Sequence, residues 1–312
     1  MKKMYFVSII FLFQALVLYA TELTPIPFDV TVNEEKVQLG KKLFLDPILS
    51  KNKKFSCMSC HNLKHNGADT LPYTPGIDGK IGYFNVPTVY NAVYNFRQFW
   101  DGRAKNLRDQ ALKPIINPVE MGNTIENALE SLKSKPMYVK AFNSLYPEGI
   151  TEDNLADALT EFEKTLITPN SSFDKYLRGD RNALSKGAIR GYKLFKDKGC
   201  ISCHNGINIG GNLYNKFGIY GDTESKELGR YTLTKKEEDK YVFKVPSLRN
   251  ISLTAPYMHD GRASTLKEAV NLMVKFQLGR RIYGEDLRNI VSFLQSLTGE
   301  LPTIVKDINA TY

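Results

Sequence analysis

All four cysteines of the chain fall inside two short motifs of one pattern, Cys57-Met58-Ser59-Cys60-His61 and Cys200-Ile201-Ser202-Cys203-His204. None is left over for a disulfide or an isolated reactive thiol. Two thiols one helical turn apart can add to the two vinyl groups of a haem, and a histidine directly after the second stands where it can ligate the iron. A redox dithiol or half of a zinc site also uses Cys-x-x-Cys, but neither needs that histidine, twice, in one chain. The motifs therefore predict two covalently bound haem c groups, one on Cys57, Cys60 and His61 and one on Cys200, Cys203 and His204. Only His65 and His259 remain as further histidines.

The sequence also repeats itself, and a repeat dictates architecture. Each motif is preceded by an apolar helical pattern ending in Lys-Leu-Phe, Leu39-Gly-Lys-Lys-Leu-Phe44 and Arg190-Gly-Tyr-Lys-Leu-Phe195. Each is followed by a pair of signatures, Val86-Pro-Thr-Val-Tyr-Asn91 with Trp100-Asp-Gly-Arg-Ala104, and Val245-Pro-Ser-Leu-Arg-Asn250 with His259-Asp-Gly-Arg-Ala263. Every position of the second pair stands 159 residues beyond its counterpart, as His259 does beyond Trp100. Each half then closes with apolar residues at three- and four-residue spacing, Leu159 to Leu166 and Ile290 to Leu297, before Pro169 or Pro302 as a helix stop. The expected fold is mainly α, two cytochrome-c-like haem domains related by internal duplication, at residues 21–177 and 178–312. Tyr231-Thr-Leu-Thr and Tyr241-Val-Phe-Lys are candidate short strands.

Residues 1–20 read as a secretory signal peptide, with Lys2 and Lys3 as a basic start, an apolar run from Tyr5 to Tyr19 and small Ala20 for cleavage. The alternative is an uncleaved anchor, but the run is shorter than the roughly 20 residues a spanning helix needs. The expectation is a periplasmic protein with no membrane attachment after cleavage. Without Lys2 and Lys3 the formal charge of +9 falls by two, and haem propionates lower it further. With no nucleic-acid motif present, the basic balance is that of a solvated surface rather than a nucleic-acid site.

The two halves differ in what they offer the far face of each haem. Continuing the register, Glu268-Ala-Val-Asn-Leu-Met273 in the second half stands against Asp109-Gln-Ala-Leu-Lys-Pro114 in the first. Met273 can ligate iron and so raise the potential of its haem, with Met258 as the rival thioether. Pro114 can ligate nothing. A first haem with an open sixth position can take up a small oxidant, and pairing it with an electron-transfer haem suits the two-electron reduction of peroxide by one-electron donors.

These residues together resemble the bacterial di-haem cytochrome c peroxidases. The resemblance covers most of the chain: Leu39 to Phe44, Cys57 to His61, Asn85 to Asn91, Gln98 to Ala104, Gln110, Val119 to Met121, Cys200 to His204, Val245 to Asn250 and Thr254 to Gly261. It implies that the haem on His61 is the low-potential peroxidatic one, and that the haem on His204, with Met273, is the high-potential electron-accepting one. It implies further that Glu120 is the pocket carboxylate that moves a proton during peroxide cleavage, with Gln110 as its companion. Trp100 is then the aromatic between the haems, and Asn85, Thr254 and Pro256 hold a calcium ion between the domains through oxygen ligands. Hydrogen peroxide and a small periplasmic donor, a cytochrome c or copper protein, are the implied partners, and a homodimer is the family's assembly.

The chain departs from the family in one respect. Many members cap the resting peroxidatic haem with a histidine about sixteen residues beyond the first proximal one; Ile77 stands there in this chain. The expectation is that the haem on His61 is open in the oxidised protein and needs no reductive activation. An uncapped haem is also similar to the di-haem enzymes that oxidise residues of a partner protein, although those use tyrosine where this chain places Met273. Two alternatives thus stand beside the peroxidase: a di-haem oxidase of a protein or organic substrate, and a non-enzymatic di-haem electron carrier. Arg103 and Arg262 are candidates to pair with propionates, and His259 with a propionate or the calcium shell.

Overall fold

The computed structural model describes residues 23–306 and residue 308, so the expected signal peptide lies outside the described residues. Seven helices of nine residues or more frame the described chain: α1 (Glu34–Leu45), α2 (Ile125–Lys133), α3 (Pro136–Leu145), α4 (Glu152–Lys164), α5 (Lys186–Asp197), α6 (Leu266–Leu278) and α7 (Gly284–Gln295). Their starts carry the expected caps. Asn33, Thr124, Thr151, Ser185 and Thr265 each accept a backbone N–H of the first turn through a side-chain oxygen, a bond that satisfies one of the orphan donors there.

The duplication is visible in how the helices cross. The helix before each haem motif packs on the helix that closes the same half, α1 on α4 and α5 on α7. Both crossings are set by a glycine. A Cβ on Gly40 would lie 1.9 Å from the Ala158 carbonyl oxygen, and one on Gly191 1.8 Å from that of Asn289. Without side chains at these points the backbones approach closely enough for Phe44 to pack edge-on against Phe162, and for Phe195 to pack at a tilt against Phe293, at centroid distances of 5.3 and 5.1 Å.

The corners that carry the repeated signatures are also twins. Asn91 and Asn250 share one left-handed conformation, φ 60° and ψ 14°, which asparagine tolerates better than most residues. Bridges Gln98↔Ala104 and Tyr257↔Ala263 then close matching loops that present Trp100 and His259.

Two cores result, and the halves exchange their ends. The first is built on α1 to α4 and takes in Val305 and Ile308; the second is built on α5 to α7 and takes in Leu23 and Phe173. A buried ion pair, Arg249 to Asp174 at 2.6 Å, ties the second half to the segment joining the halves, and Asp174 also accepts the Ile26 N–H. The only sheet among the described residues is the antiparallel pair β1 (Tyr214–Lys216) and β2 (Val242–Lys244). The second candidate strand is therefore present. The first is not: Tyr231–Thr234 forms a helical turn, because the N–H groups of Thr232 to Lys235 bond back to the Gly229, Arg230 and Tyr231 carbonyls, and only Arg230, before the turn, bonds β2.

Candidate active site

Cys57–Cys60 forms a single helical turn, with Ser56 and Ser59 hydrogen-bonded to one another's backbone at its start, and His61 ends it. His61 Nδ1 lies 3.1 Å from the Gly67 carbonyl. A carbonyl can only accept, so the ring carries its proton on Nδ1 and keeps the Nε2 lone pair for a metal. Burial pushes the imidazole down to about 4, so it stays neutral, the state a ligand needs. Burial also raises the Cys57, Cys60 and Cys200 thiols, and no disulfide joins the four cysteines. Neutral thiols beside a neutral imidazole fit thioether attachment and axial ligation, not a redox dithiol.

The second motif opens on a cavity of about 390 Å³, lined by Cys200, Cys203, His204 and both candidate thioethers, Met273 and Met258. Burial holds His204 down to about 4 as well, and its Nδ1 is buried with no hydrogen-bond partner among the described residues. An apolar chamber with an imidazole, two thiols and thioether sulfurs on its walls has the donor set for a haem with His/Met ligation. Met273 reaches it from α6, and Met258 from the corner loop beside His259.

Glu120 belongs to the first motif's surroundings: its carboxylate raises the thiols of both Cys57 and Cys60. An Asn117 turn holds it, with Asn117 Nδ2 donating to Glu120 Oε1 at 2.5 Å and the Asn117 carbonyl accepting the Glu120 N–H. Burial raises the Glu120 carboxyl above its ordinary value, while the Arg103 guanidinium and the Asn117 amide pull it back. Ile77 is fastened to the same turn, its N–H donating to the Glu120 carbonyl at 2.9 Å and its buried side chain lying over Gly122. Gln110 sits on the short helix Leu107–Ala111, packed against α4, with no side-chain hydrogen bond to another described residue.

All four histidines are described. His61 and His204 end the motifs, and His65 is exposed. His259 is buried, stacked on Phe243 at 4.3 Å, and its Nε2 is 2.7 Å from Ser225 Oγ.

Trp100 lines the cavity of the second motif although it belongs to the first half. Its Nε1 donates to the Asn85 carbonyl at 2.9 Å, its own carbonyl accepts the Lys244 N–H at 2.7 Å, and its ring meets His259 edge-on at 6.3 Å. Asn85, Thr254 and Pro256 line the same cavity. Arg103 and Arg262 are each engaged with the aspartate of their own Asp-Gly-Arg, Arg103 with Asp101 at 3.0 Å and Arg262 Nε with Asp260 at 2.6 Å. His259 likewise has a protein partner, Ser225.

Two buried charged groups escaped the sequence reading, Glu163 on α4 and Lys244 on β2. The repeat register held the signal for both: Glu163 aligns with Leu294, and Lys244 with Asn85.

A family profile described as di-haem cytochrome c peroxidase matches residues 34–182, and one described as cytochrome c matches residues 188–298. The chain is 46% identical to cytochrome c551 peroxidase of Nitrosomonas europaea over 281 residues, covering 89% of this chain and 84% of that protein. It is 45% identical to cytochrome c551 peroxidase of Pseudomonas aeruginosa over 294 residues, covering 90% and 85%. Among solved structures, a MauG-like protein associated with microbial copper homeostasis superposes with a TM-score of 0.77 at 26% identity, covering 89% of this chain and 93% of that one. The mainly helical fold, the two haem c groups and peroxidase chemistry agree across these similarities, and the chain belongs to the di-haem cytochrome c peroxidase family.

Proposed function

We propose that this chain reduces hydrogen peroxide to water in the periplasm with electrons from a reduced small cytochrome c or copper protein. In the segment 178–312, Cys200, Cys203, His204 and Met273 would hold the haem that accepts electrons, and in the segment 21–177, Cys57, Cys60 and His61 would hold the haem that passes them to peroxide. The haems supply one-electron exchange and, at His61, an iron face for peroxide. The reaction consumes two electrons and two protons for each peroxide cleaved to two waters.

Glu120 handles the proton. Its carboxylate accepts one from the near peroxide oxygen and returns it to the departing oxygen, and Asn117 fixes its direction. Trp100, a first-half residue on the wall of the His204 cavity, is the relay, and Gln110 completes the pocket. Asn85, Thr254 and Pro256 share one wall beside Trp100, where a calcium ion would hold the two halves in register.

The asymmetry of side chains supports this reading: thioethers line the cavity of His204, whereas Ile77, which can ligate nothing, is fastened beside Glu120. The test is to mix oxidised and half-reduced protein with peroxide and follow oxidation of a reduced cytochrome c. Rapid turnover is expected. A long-lived oxidised haem state without cytochrome oxidation would favour an oxidase of another substrate, and no reaction with peroxide would leave an electron carrier.

A further inference from the structure

The repeat that aligns the two halves also exposes two places where they differ in buried charge. Glu163 follows Phe162 on α4, and Phe162 packs on Phe44 in the way Phe293 packs on Phe195 in the other half. Its counterpart by that register is Leu294, which lines the cavity of His204. Glu163 is 6% exposed, no hydrogen bond or ion pair to a described residue engages its carboxylate, and its charge is felt at Cys57. Lys244 is the mirror case. It is 6% exposed, lines the cavity of His204 and makes no side-chain hydrogen bond or ion pair with a described residue. Its counterpart, 159 positions earlier, is the neutral Asn85.

A buried charge without a partner is costly, so a chain keeps one where something else in the site answers it. We propose that Glu163 and Lys244 set the direction of electron flow, Glu163 lowering the potential of the haem on His61 and Lys244 raising that of the haem on His204 by facing a propionate. A carboxylate beside a haem favours the ferric form, which carries one more positive charge than the ferrous. An ammonium favours the ferrous form. Both asymmetries act in the same sense, adding to the difference made by Met273. The inference rests on the two-haem reading above and supplies a cause for the inequality that reading needs.

The two groups must be charged when tested. Burial alone pushes the Glu163 carboxyl up to about 8 and the Lys244 ammonium down to about 8. Spectroelectrochemical titration of the two-haem protein at fixed calcium reads both potentials, at pH 9 for Glu163 variants and pH 7 for Lys244 variants. Glu163→Gln and Glu163→Leu, the latter being the residue of the other half, should each raise only the potential of the haem on His61. Lys244→Gln and Lys244→Asn should each lower only that of the haem on His204, and Lys244→Arg should restore it. Each shift should change the equilibrium constant for electron transfer between the haems about tenfold, or about 59 mV for one electron.

Shifts below twofold, movement of the wrong haem, or equal movement of both haems would overturn the proposal. So would loss of haem loading in both variants of a position, which would mark a folding role. Absence of two separable haem potentials in the unmodified protein would instead count against the two-haem reading.

Discussion

Asn91 and Asn250 donate their side-chain amides to one hydroxyl, Thr168 Oγ1, at 2.7 and 2.8 Å. The two asparagines are repeat partners with identical backbone angles, so the duplicated corners meet on a single atom at the seam between the halves. All three residues are buried. Thr168→Val keeps the shape and removes the shared acceptor, leaving two buried amide donors unsatisfied at about 1–3 kcal/mol each. Chemical denaturation should show a loss of at least about 2 kcal/mol, with the haem spectra unchanged.

The helix crossings make a second prediction. At Gly40 and Gly191 a methyl group would fall within 2 Å of a facing carbonyl oxygen, too close to be absorbed without moving a helix. Gly40→Ala and Gly191→Ala should each destabilise by about 1–3 kcal/mol or more, read as a lowered Tm. Each should disturb the haem of its own half first, because the displaced helix carries Phe44 beside His61 or Phe195 beside His204.

Glu120→Gln should slow peroxide cleavage by about 10²–10⁴-fold, the span usual for a positioned general acid–base, without altering either haem spectrum. The sign of the pH dependence follows from the same carboxyl. It must be ionised to accept a proton, and burial raises it above the ordinary carboxylate range. Activity should therefore fall as the pH drops through that raised value. Arg103 pulls the carboxyl down, so Arg103→Gln should move the acidic limb of kcat/KM to higher pH; an unmoved limb would remove Glu120 from the profile.

Much of this was legible in the sequence because the motifs repeat at a fixed register. The two haem environments, the paired corners and the helices that close each half all lie on residues the duplication singles out. The exchanged ends were not legible, since Leu23, Val305 and Ile308 are ordinary apolar residues whose partners lie across the chain. Tyr231 to Thr234 reads as a strand by composition, yet local bonds to Gly229 and Arg230 decide for a helical turn. Sequence offers His259 a propionate or the calcium shell as partner, and not Ser225, which it meets, because Ser225 lies in a loop without a motif. Glu163 looked like one more polar residue on an amphipathic helix until burial showed which face it occupies.

Ligation of the second haem separates the two thioethers in its cavity. Met273→Ala should convert that haem from low to high spin and lower its potential by more than about 59 mV, a tenfold change in equilibrium for one electron. Met258→Ala should do neither. Electron paramagnetic resonance with a potentiometric titration distinguishes them, and the reverse pattern would give the ligand role to Met258.

On the proposed function, the haems of His61 and His204 differ before any electron arrives. Electron paramagnetic resonance of the fully oxidised, calcium-loaded protein, with both signals integrated against total haem, measures that difference directly. One high-spin haem per chain, on His61, beside one low-spin haem on His204 is the expected result. Two low-spin haems in the oxidised state would mean that some group of the chain caps His61's haem, and would contradict it.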